Sequence, residues 1–151
     1  MRIIGIILIV ISFIAFSKDV PQHFTVENPP LGWTMTDNGI YKGDVNDPNS
    51  LAILVIYREY INSTTSNETF KSAQKAISTT YGKTRDLGPA TVASHATEGF
   101  EATDLGGLIH RFYIITQAPT KAWLVEVRGR QMQLAAADAE IELILGELKL
   151  Q

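Results

Sequence analysis

The 151-residue chain contains no cysteine. That removes a thiol nucleophile, a disulfide framework and a thiolate zinc site. Histidine is scarce, with His23, His95 and His110 scattered through the chain, so a three-histidine zinc site would need long-range folding to assemble. No run of Lys and Arg stands out, and acidic residues outnumber basic ones 16 to 13, so a nucleic-acid partner is not expected. A phosphate loop is missing as well. Gly106-Gly107 falls between two strand-like runs and reads as a hairpin turn. No serine sits in a nucleophile-elbow context, and Ser94 and His95 are neighbours in sequence only. The sequence therefore predicts a protein that is not an enzyme, with no catalytic residue, no metal site and no cofactor.

What is present begins with an address. Arg2 is followed by an apolar run, Ile3 to Phe16, broken only by Gly5 and Ser12. Ala15 and Ser17 then place small residues at the −3 and −1 positions of a cleavage site. This is the pattern of a secretory signal peptide, and the run is shorter than the roughly 20 residues a membrane helix needs. The expected organisation is a signal peptide over 1–17 and one exported domain over 18–151, periplasmic or secreted. Retention of the segment as an anchor is the alternative, and the only expected membrane link. Loss of Arg2 would leave the mature chain one unit more acidic than its formal −3.

The rest of the chain arranges itself around Leu108–Arg130. Two runs rich in Ile, Val, Phe, Tyr and Trp flank Ala118-Pro119-Thr120-Lys121, which predicts a β-hairpin. Trp33–Thr36 and Ile40–Asp44 flank Asp37-Asn38-Gly39 and predict a second hairpin. Leu51–Tyr60 is apolar at both alternating sets of positions, so both faces of that strand should be covered. Phe70, Ala73, Ile77 and Tyr81 recur at helical spacing, with Ser66 or Asn67 as cap and Gly82 as the end. Thr84–Leu87 reads as a short strand, Gly88-Pro89 as a turn, and His95–Thr103 as a further strand. A helix is expected from about Met132 to Leu145, closed by Gly146, with a final stub at Leu148–Leu150. The order is that of an antiparallel α+β domain. Doubly apolar central strands favour a helix layer on each side of the sheet; both helices on one face is the rival arrangement.

Three stretches carry a family resemblance. Phe24-Thr25-Val26 through Pro30-Leu31-Gly32-Trp33 is similar to the opening of the PsbP-like superfamily. That group contains extrinsic photosystem II subunits, a Ran-binding nuclear-import factor and exported bacterial proteins of the DcrB type. Val92–Ala96 with Gly99–Ala102 resembles its middle strand pair, and Trp123–Val127 with Leu148–Leu150 resembles its closing strand, helix and tail. The resemblance implies an α/β/α sandwich around an antiparallel sheet. It also implies binding or assembly rather than catalysis, with another protein as the partner, at the cell envelope for an exported member. The alternative function is an exported module that binds a small ligand or calcium in a pocket between sheet and helix; a hydrolase ranks third.

Three residues are candidates for binding: His110, Arg111 and Trp33. His110-Arg111 interrupts an apolar strand, and adjacent strand residues point to opposite faces, so the two should not share a site. The plain reading is a strand end reaching solvent. Trp33 and Trp123 could line a pocket, although their apolar area suits a core. Asp37, Asp44, Asn46 and Asp47 carry calcium-like oxygens, but the loop after Asp44 lacks the EF-hand glycine and glutamate, and turn formation is the expected role.

Overall fold

The computed structural model describes residues 24–151. The expected signal segment 1–17 and His23 lie outside the described residues. In chain order the elements are β1 (Phe24–Thr25), β2 (Trp33–Met35), β3 (Gly39–Lys42), β4 (Leu51–Glu59) and α1 (Ser66–Tyr81). Then come β5 (Arg85–Val92), β6 (His95–Thr103), β7 (Ile109–Ala118) and β8 (Lys121–Gly129). The chain closes with α2 (Gln131–Ala136), α3 (Asp138–Glu147) and β9 (Lys149–Leu150). The fold is α+β with one large antiparallel sheet of seven strands, ordered β2-β3-β4-β8-β7-β6-β5.

Both expected hairpins form, and β8 occupies the middle of the sheet beside β4. The β7–β8 register changes by one residue between Thr116 and Ala118. This bulge puts His110 opposite Arg128, Phe112 opposite Glu126 and Ile114 opposite Leu124. Alternate residues of β8 then feed two separate apolar clusters. Val125 and Val127 join Ile53 and Val55 of β4, with Leu134, Ile141 and Ile144 from α2 and α3. Ala122 and Leu124 join Phe100, Phe112 and Ile114, with Ala73 and Ile77 from α1. The helical stripes read from the sequence are the residues that reach these clusters.

Outside the main sheet β1 pairs with β9, tying the two ends of the described chain together. Several local expectations need correction. Gly88-Pro89 is not a turn but lies inside β5, at a bulge between Asp86 and Gly88. Gly88 has φ +86°, which a glycine tolerates, and β5 is an edge strand, where a proline forfeits no ladder bond on the open side. The turn falls instead at Ala93-Ser94, both at positive φ. The helix expected over 132–145 is broken near Ala137 and runs through Gly146 to Glu147. Thr65, not Ser66 or Asn67, caps α1: its side chain accepts from the Glu68 amide at 3.2 Å, while the Glu68 carboxylate accepts from the Thr64 amide at 2.7 Å. Gly82 ends α1 as expected.

Candidate functional site

The structure does not bring the three sequence candidates together. His110 and Arg111 lie on opposite faces of β7, and Trp33 lies on the edge strand β2. Trp33 is buried in the cluster under α2 and α3; its indole N–H donates to Glu140, which also accepts from the Lys42 ammonium at 2.9 Å. These two hydrogen bonds hold the Glu140 carboxyl below its ordinary value. The trio clamps the β2–β3 hairpin to α3. Arg111 donates to Glu101 at 3.0 Å, and Glu101 also accepts from Arg85 at 2.8 Å. That arrangement ties β5, β6 and β7 together across the sheet.

His110 overturns its plain reading. It does not reach solvent: only 5% of it is exposed. Its Nδ1 lies 2.5 Å from Glu126 Oε1, and its Nε2 lies 3.0 Å from Asp104 Oδ2. Carboxylates only accept, so with both partners ionised the ring carries both protons and is the cation of the cluster. Burial alone would lower its pKa, but the bonds to Glu126 and Asp104 outweigh it and hold His110 above the ordinary histidine value. Asp104 is held low by the His110 bond and by the Leu108 and Gly106 amides. The Tyr81 ring, at the end of α1, covers His110 with ring centroids 4.6 Å apart. Burial pushes the Tyr81 phenol up, and the Glu126 and Asp104 charges add to it.

Beside this cluster, between α1 and the sheet, lies a cavity of about 240 Å³. Ile56, Ile77, Phe112 and Leu124 supply apolar wall, while Arg58, Tyr60, Tyr81 and Glu126 supply polar groups. The Tyr60 hydroxyl is shielded from solvent beside Arg58, and Arg128 Nε is buried without a hydrogen-bond partner among the described residues. The sequence marked none of Arg58, Tyr60, Tyr81 or Glu126 as a binding residue. The available signal was Glu126, a carboxylate inside the apolar run Trp123–Val127, facing a strand that carries His110.

The other polar groups do structural work. Asp44 Oδ1 accepts from the Asn46 amide and Asp47 Oδ1 from the Asn49 amide, each at 2.9 Å, so these carboxylates shape their own loop. Ser94 is exposed in a tight turn, and His95 Nδ1 lies 2.7 Å from the Ala93 carbonyl. Among the described residues no group of three or more His, Asp or Glu side chains could hold a metal ion. No helix among them is long and apolar enough to cross a membrane.

Comparison with solved structures shows a PsbP-like fold. The likeness is to LpqN from Mycobacterium tuberculosis, described as involved in cell envelope biogenesis, with TM-score 0.56 and 10% identity over 88% of this chain and 87% of that one. It extends to the Ran-binding protein Mog1p of Saccharomyces cerevisiae, with TM-score 0.50 and 10% identity over 85% of this chain and 90% of that one. Cyanobacterial PsbP from Synechocystis sp. PCC 6803 aligns with TM-score 0.47 and 8% identity over 88% of this chain and 95% of that one. No protein-family model matches the sequence, and no curated protein sequence does.

Proposed function

We propose that the protein is an exported, non-enzymatic binding or assembly factor of the cell envelope that acts through contacts with another protein. The observation that carries this reading is the fold-wide likeness to LpqN, whose description places it in envelope biogenesis. The likeness to a Ran-binding protein supports a protein partner. In this reading the domain is an α/β/α sandwich, with α1 over one broad face of the sheet and α2 and α3 over the other; the two separate clusters support it. The signal segment over 1–17 supplies the route out, and the mature chain starts at Lys18.

The test is affinity capture of the tagged full-length protein from its native envelope fraction, with mass spectrometry of the bait itself. The expected result is a specific co-purifying protein and a bait whose first residue is Lys18. A bait that keeps residues 1–17 in the cytosolic fraction, with no specific companion, overturns the reading. The cavity under α1 favours a second function, binding of a small ligand.

A further inference from the structure

We propose that the cavity between α1 and the sheet is a binding site for a small apolar monocarboxylate. Its wall is mostly hydrocarbon, from Ile56, Ile77, Phe112 and Leu124. At one end the lining presents donors: the Arg58 guanidinium and the Tyr60 hydroxyl. Tyr60 is half-buried with its hydroxyl shielded from solvent; Arg58 is the group that reaches its oxygen, and a guanidinium only donates, so the phenol proton has no acceptor among the described residues. A buried polar group in that state is a rare feature that calls for an explanation, and a bound acceptor supplies one. Burial lifts the Tyr60 phenol above its ordinary value, and the charge and hydrogen bond of the neighbouring Arg58 offset part of that, so the hydroxyl keeps its proton and can donate. Arg58 belongs to none of the salt bridges among the described residues. A carboxylate placed there accepts from both groups in a charge-assisted arrangement.

The opposite end decides against other ligand classes. Glu126 is the one carboxylate on the lining, and His110 already engages it at 2.5 Å, so it does not offer a free anion to a cationic ligand. The strand register separates the two ends: Arg58 pairs with Ala122, Ile56 with Leu124 and Leu54 with Glu126. Arg58, Ile56 and Leu54 share a face, so the cation stands near the end of β4 and the apolar wall runs inward from it. A ligand lying along this line puts its head group at Arg58 and its hydrocarbon against Ile56 and Leu124. Size sets a further limit. The cavity of about 240 Å³ holds roughly eight water-sized groups at about 30 Å³ each. Hexanoate, with its short chain and single carboxylate, matches that size and is the probe for the test.

Hexanoate is titrated into the ¹⁵N-labelled protein by NMR, with hexan-1-ol as the neutral counterpart of equal chain length. The proposal expects amide shifts clustered at Tyr60, Ile77 and Leu124, and hexanol weaker by about tenfold or more, since the charged head carries the specificity. Arg58→Gln should bring hexanoate affinity down to that of hexanol. Ala76 lines the cavity from the exposed side of α1, and Ala76→Leu keeps a good helix former there while filling the space. That variant should bind neither probe while melting like wild type. Equal affinity for the two probes, an Arg58→Gln variant that still prefers hexanoate, unchanged binding in a folded Ala76→Leu variant, or no shifts up to the solubility of hexanoate would each overturn the proposal. None of these outcomes bears on the protein-partner reading, which rests on a different observation.

Discussion

The two apolar clusters are built on different principles. In the one that α2 and α3 join, the contacts are hydrocarbon: Ile53, Val125, Val127 and Ile144 are completely buried, and the polar clamp of Trp33, Glu140 and Lys42 sits at the margin. The one that α1 joins is smaller, and His110, Glu126 and Arg128 and a cavity lie beside it. The first cluster is where burial of apolar area stabilises the fold. The second retains buried polar groups, which an apolar repacking would avoid. Imperfect packing and buried polar groups at one place are what a binding site requires and what a pure core excludes.

The sharpest way to break the contrast is a charge in the hydrocarbon cluster. Val125→Asp should cost at least about 4 kcal/mol, because an unpaired carboxylate at a fully buried position has no compensation. Equilibrium urea unfolding followed by circular dichroism checks it; a wild-type melt would mean that the register of β8 is wrong. Truncations then compare the clusters directly. Ile144→Ala should cost about 4 kcal/mol, whereas Ile77→Ala, beside an existing cavity, should cost about 2. If the order reverses, the cluster that α1 joins is the better packed of the two.

His110 gives the contrast a pH signature. Its folded pKa is raised, so its contribution to stability is fully present below the unfolded histidine value of 6.5 and fades as pH rises through the folded value. His110→Gln should cost about 2 kcal/mol near pH 6, from the lost bonds to two carboxylates, and less at alkaline pH. Urea melts of both proteins across that range test this; a difference that grows with pH would contradict the pairing. The smallest effect is expected at Lys75, exposed on α1, where replacement by alanine should stay within about 0.5 kcal/mol.

The regular parts of the fold were legible because their signals are local. The Asp37-Asn38-Gly39 turn, the stripe of Phe70, Ala73, Ile77 and Tyr81, and the doubly apolar run of β4 each follow from residue type and period. The misreadings have non-local causes. Ala93-Ser94 turns the chain at positive φ without a Gly or Asn, and the Ala93 amide is held by the Leu145 carbonyl of α3 at 2.8 Å. No turn signal marks such a site, because the support comes from a helix some 50 residues further on. Gly88-Pro89 carries a strong turn signal, yet the pairing of β5 with β6 absorbs it as a bulge.

Chain chemistry alone determined the α+β class, the hairpins and the helical stripes, since these depend on alternation and turn residues within short windows. It also set the limits on function, through the missing cysteines and phosphate loops. Which face of β7 meets which face of β8 was decided in the folded molecule, by a bulge between Thr116 and Ala118. A one-residue shift exchanges the faces of a strand, so that bulge alone puts His110 beside Glu126. With α1 laid over them, a histidine expected at the surface becomes the buried cation of a polar cluster, and the cavity beside it takes its shape from strands and a helix far apart in the sequence.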